Sequence, residues 1–89
     1  MKTYLVTLKM GEHTDLSVVE ERLRSFPKWA KVMPNVWIVR HGHITKEDVR
    51  GYISDLMPDG AVLVINIDNA AWATYSVEKE VTDWMQANV

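Results

Sequence analysis

The chain opens on an alternation. From Thr3 to Met10 every second position is apolar (Tyr4, Val6, Leu8, Met10), which predicts a strand, and Gly11 with the polar Glu12-His13-Thr14 ends it. The spacing then becomes helical: Leu16, Val19, Leu23 and Phe26 recur on one face, Thr14 or Asp15 offers the N-cap oxygen, and Pro27 stops the helix. Lys28 to Met33 and Val36 to His41 flank the turn residues Pro34-Asn35 and predict a β-hairpin. After His41-Gly42-His43, Thr45 with Asp48 three residues on marks a second helix start. Val49, Ile53, Leu56 and Met57 form its apolar stripe, and Pro58-Asp59-Gly60 its end. Ala61 to Ile67 is a continuous apolar run, the signature of a central strand buried on both faces. Ala70 to Tyr75 reads as a short edge strand or a packed loop. Ser76 then caps a last helix with Val77, Val81, Trp84 and Met85 on one side, and Glu78 and Glu80 in its first turn.

This order predicts an α+β domain over residues 1–89, a ferredoxin-like β-α-β-β-α-β sandwich with a C-terminal helix. Both long helices fall on one face of a four-stranded antiparallel sheet. With Tyr4, Val6 and Leu8 facing those helices, Leu5, Thr7 and Lys9 face away. They are joined there by either Trp29, Lys31 and Met33 or by Ala30 and Val32. Four tryptophans, Trp29, Trp37, Trp72 and Trp84, exceed what two short helices cover. The last helix or a second copy of the chain is expected to shelter the remainder.

Composition narrows the chemistry. At 89 residues and 47% hydrophobic content, one small core is expected, burying roughly 60–65% of the unfolded surface. The absence of cysteine excludes disulfides, thiolate zinc clusters and thiol nucleophiles. No apolar run approaches the roughly 18–20 residues of a membrane span, and the alternating start does not resemble a signal peptide. The expectation is a cytoplasmic protein with no membrane partner. The net charge of −2 conceals a segregation: residues 20–50 carry seven basic against four acidic side chains, or +3, and residues 51–89 one against six, or −5.

Candidate chemistry is sparse. His41-Gly42-His43, with His13 placed near the same sheet end, could hold a metal ion, but no acid stands at a helpful spacing, and the loop reading is preferred. Scattered serines fit caps and surfaces, Glu20-Glu21 with Arg24 fits an ordinary helix face, and four isolated glycines form no phosphate loop. Lys9, Lys28, Lys31 and Arg40, interleaved with Trp29 and Trp37, have the composition of a nucleic-acid platform. With a pI near 5.8 and a −5 tail, nucleic acid is the less favoured partner, and the cations read first as solvated strand sides.

Lys2-Thr3-Tyr4-Leu5-Val6-Thr7, Val36-Trp37-Ile38-Val39, Leu63-Val64-Ile65, Trp72 and the segment from Val77 to Met85 resemble, over nearly the whole chain, the small SinR-like proteins. Those are similar in fold to the CRISPR-associated adaptation nucleases and the virulence-associated D toxins. The resemblance implies a homodimeric ferredoxin-like domain. In the nuclease relatives the first strand ends in Tyr-Asp, and the aspartates meet across the dimer axis as metal ligands; the matching positions here are Leu8 and Lys9. A lysine repels Mg²⁺ and Glu12 lies three residues on in the loop, so metal-dependent cleavage loses its ligand. The expectation is a homodimeric binding module with no catalytic residues, metal or cofactor. The alternative is a ribonuclease or toxin-type endonuclease of the same fold, using His13, His41 or His43 in acid–base cleavage.

Overall fold

Tyr4, Val6 and Leu8 decide which way the sheet faces. In the computed structural model, which describes Met1–Val89, they lie on the inner face of β1 (Lys2–Lys9) and are buried. They meet Val19, Leu23 and Phe26 from α1 (Leu16–Leu23) and its exit, and Val49, Ile53 and Met57 from α2 (Lys46–Ser54) and its exit. The hairpin strands β2 (Lys28–Met33) and β3 (Val36–His41) add Trp37 and Val39. β4 (Ala61–Asn66) and α3 (Lys79–Asn88) complete the chain.

The sheet order is β2-β3-β1-β4, with every neighbouring pair antiparallel. β1 and β2 therefore run parallel with β3 between them, and β3 and β4 run parallel with β1 between them. Each parallel pair is joined by one helix, and α1 and α2 share the inner face. The architecture is a four-stranded antiparallel sheet with three helices, α+β as expected. Pro34-Asn35 makes the hairpin reversal with Asn35 left-handed at φ 64°, a conformation that asparagine tolerates. Asp15 caps α1, and Thr45 with Asp48 forms a reciprocal capping box on α2.

The hairpin register answers the question left by the two possible sets. Trp29 stands opposite Val39 and Lys31 opposite Trp37, so both face the helices, whereas Ala30 stands opposite Ile38 on the outer face. α3 packs across β2. Beneath that side of the outer face Ala30 and Ile38 are buried, as is Met85 of α3. Arg40 fastens the helix end to the sheet, donating from Nε to Thr3 Oγ1 (3.0 Å) and from a terminal nitrogen to Asn88 Oδ1 (3.1 Å).

Three expectations need correction. Ala61–Asn66 is not central: β4 is an edge strand with Leu63 56% and Ile65 44% exposed. Its apolar run is only half covered. Ser76 does not cap α3; it sits left-handed at φ 56°, and the helix begins after Glu78 without a side-chain cap. Of the two readings offered for residues 70–75, the loop is the one the chain adopts. The first two helices are also shorter than their stripes. Pro27 disfavours helical geometry at Phe26, and α1 ends at Leu23 with Phe26 delivered to the core by a turn, as Leu56 and Met57 are after α2.

At the far end of the sheet Gly60 approaches β1 so closely that an added Cβ would lie 2.6 Å from the Lys9 carbonyl oxygen. Asp59 locks this junction, accepting from His13 N–H (2.7 Å) and Thr14 Oγ1 (2.8 Å). These bonds, the His13 amide first, hold its carboxyl below the usual aspartate value. A carboxyl depressed in the folded state stabilises fully above its unfolded pKa of about 3.9, and that stability is lost as pH falls through the folded value. The urea midpoint is expected to decline below about pH 4, with Asp59→Asn showing a shallower decline. Equal slopes for the two proteins would show that the junction does not depend on the charge.

Candidate functional site

Three elements converge at the opposite end of the inner face. Phe26 leaves α1, His41 ends β3 and Tyr52 rides on α2, with ring centroids 6.5 Å (Phe26–His41) and 5.7 Å (Phe26–Tyr52) apart, both edge to face. With Ser25, Ile44 and Asp48 they line an open cleft of about 320 Å³. Most of its polar groups are already engaged. Ser25 Oγ donates to Arg22 O (2.6 Å), so the 2.9 Å contact with Tyr52 is one in which the phenol donates. His41 Nδ1 accepts from His43 N–H (3.2 Å), which leaves the proton of the neutral ring on Nε2. Asp48 Oδ2 closes the capping box, and the Thr45 amide and hydroxyl hold its carboxyl below the ordinary range.

The histidines separate. His41 stands opposite Lys2 at the start of β1, whereas His13 follows the end of β1 and donates its amide to Asp59. The expectation that His13 lies near His41 and His43 is corrected: the length of a strand divides them. No three His, Asp or Glu side chains cluster in a way that could hold a metal ion.

The four candidate nucleic-acid residues do not form one patch. Lys28 stands opposite Arg40 on the outer face, but Arg40 is half-buried in its bonds to Thr3 and Asn88. Lys9 is exposed on the same face, six residues along β1 from Thr3, the partner of Arg40, or roughly 20 Å at strand rise. Lys31 is on the other face. Its Nζ lies 2.7 Å from Glu20 Oε2, an ion pair off the hydrogen-bond line, and 5.9 Å from the Trp37 ring centre.

What sequence reasoning missed is the uneven cover of the outer face. α3 shields the β2–β3 half. The β1–β4 half keeps Leu5 half-buried beside the exposed Leu63 and Ile65. The two sheet edges also differ. β2 carries Lys28 and Lys31, a bulge between Lys31 and Met33, and Pro34 next to it, all features that discourage strand pairing. β4, Ala-Val-Leu-Val-Ile-Asn, has no charge, no proline and an unbroken register. The readable signal was composition: a strand with no charged residue at all is either central or bound.

Comparison with protein-family models, curated proteins and solved structures finds no match to this chain. No helix is long and apolar enough to cross a membrane.

Proposed function

We propose that this protein is a homodimeric interaction module built on a ferredoxin-like arrangement, and that it works by association rather than by metal-dependent cleavage. The strand order β2-β3-β1-β4 with a helix joining each parallel pair supports that arrangement. Kinship with the SinR-like proteins, and through them with the CRISPR-associated adaptation nucleases and virulence-associated D toxins, is part of the same proposal. Lys9, at the end of β1, stands where those nucleases carry a metal-binding aspartate, and a cation there opposes Mg²⁺.

The observation that carries the reading is the apolar strip of Leu5, Leu63 and Ile65 on the uncovered half of the outer face. Apolar side chains side by side at an unguarded edge mark an interaction surface. Its lack of charge suits a second identical strip better than a phosphate backbone. Sedimentation equilibrium at micromolar concentration tests this directly. The expected mass is twice the 10.2 kDa of the chain, and a mass of one chain at every concentration overturns the reading.

A further inference from the structure

β1 is hydrogen-bonded on both sides, and two of its bonds fix the direction of all the others. Leu8 N–H donates to Asn35 O (2.9 Å) on the β3 side, whereas Thr3 O accepts from Ile67 N–H (2.9 Å) on the β4 side. Bonding direction alternates along an antiparallel strand. The odd residues of β1 therefore bond to β4, and their partners Ala61, Leu63 and Ile65 point back at β1. The N–H and C=O groups of Val62, Val64 and Asn66 are left pointing out of the sheet edge.

We propose that β4 pairs antiparallel with β4 of a second copy of the chain, about a two-fold axis through Val64, so that the two sheets become one. The inference rests on the homodimer reading above, and it sets the contact at the β4 edge rather than at the β1 ends, where the aspartates of the nuclease relatives meet. Val64 then faces the partner's Val64, and Val62 faces the partner's Asn66. All three outward residues of each copy are used, giving about six new backbone hydrogen bonds. The same register sets Leu63 opposite the partner's Ile65 in a pair without hydrogen bonds, where Cα atoms approach to about 4.5 Å and side chains touch most closely. The two exposed large apolar residues of the strand thereby cover each other. Moving the axis to Leu63 or Ile65 pairs only two of the three outward residues and loses that match. Lys46, Glu47 and Arg50 of α2 and Val62, Leu63 and Val64 of β4 line an open trough of about 210 Å³, and the partner's Val64 side chain enters it.

The chain has no cysteine, so any introduced thiol is the only one. Under mild oxidation Val64→Cys is expected to form a covalent dimer, because a hydrogen-bonded pair separates Cα atoms by about 5.5 Å, within disulfide reach. Val62→Cys alone is expected not to, since its two copies stand four residues apart along the strands, roughly 13 Å. Asn66→Cys alone behaves likewise, whereas a one-to-one mixture of the two variants links. Val64→Pro removes only an outward N–H, a change an edge strand tolerates, and should give a folded monomer. If Val64→Pro does not fold, the cross-linking pattern decides alone. A wild-type dimer that survives Val64→Pro, or that links through position 62 alone, overturns this register and spares the homodimer reading. A wild-type monomer overturns both, and a mass rising beyond two chains with concentration overturns the closed two-fold pairing.

Discussion

Trp37→Ala is expected to take away a large part of the folding stability of this domain. Trp37 is fully buried on the inner face, opposite Val6 on one neighbouring strand and Lys31 on the other, with the Trp29 ring 5.6 Å away. Arg24 lies 5.7 Å from the centre of the Trp37 ring. Truncating a buried tryptophan costs about 3–5 kcal/mol. At roughly 0.05–0.15 kcal/mol per residue, a chain of this length has about 4–13 kcal/mol in total. The melting temperature should fall by at least about 12 °C, read by circular dichroism. Trp37→Phe sharpens the test. The indole Nε1 is buried with no hydrogen-bond partner, so phenylalanine removes a desolvated donor and keeps a six-membered ring in place of the larger indole. Phenylalanine should therefore lose less than half of what alanine loses. Equal losses would mean that the N–H is worth keeping, and that the site is held together by a bond to that nitrogen rather than by packing.

That contrast also shows where reading the chain stops being enough. The period-two pattern of Tyr4, Val6 and Leu8 and the helical stripes of Val19, Leu23, Val49 and Ile53 name the core side chains, because each is a local consequence of burying one face. The face of Trp37 and Lys31 is not local. It depends on the hairpin register, which the left-handed Asn35 and the bulge between Lys31 and Met33 set together. A shift of one residue would turn Lys31 to the outer face and Lys28 to the inner one. The cleft is less legible still, since Phe26, His41 and Tyr52 come from three different segments. β4 fails for a different reason. A continuous apolar run records that both faces of a strand avoid water, and it is silent on whether the cover comes from the same chain or from another.

Leu63→Lys with Ile65→Lys is accordingly expected to leave the monomer intact and abolish its association. Both side chains are about half exposed in the single chain, so each gives up roughly 1 kcal/mol of further burial, half of a full value. Four such side chains meet at a two-fold interface, and their sum of about 4 kcal/mol corresponds to roughly a thousandfold in dissociation constant. Four introduced ammonium groups facing one another add repulsion, as charged residues do on natural sheet edges. The expected result is a protein of one-chain mass at concentrations where the wild type has two, with its melting temperature at low concentration unchanged within a few degrees. The comparison with Val64→Pro separates two geometries. A dimer made by stacking the outer faces would be destroyed by the lysines and indifferent to the proline, because stacking uses Leu63 and Ile65 but no outward N–H. A dimer made by edge pairing needs both, since the backbone bonds fix the register and the apolar pair holds it closed. A double-lysine protein that still has two-chain mass would place the contact on the β2 side, where α3 and the bulged edge lie.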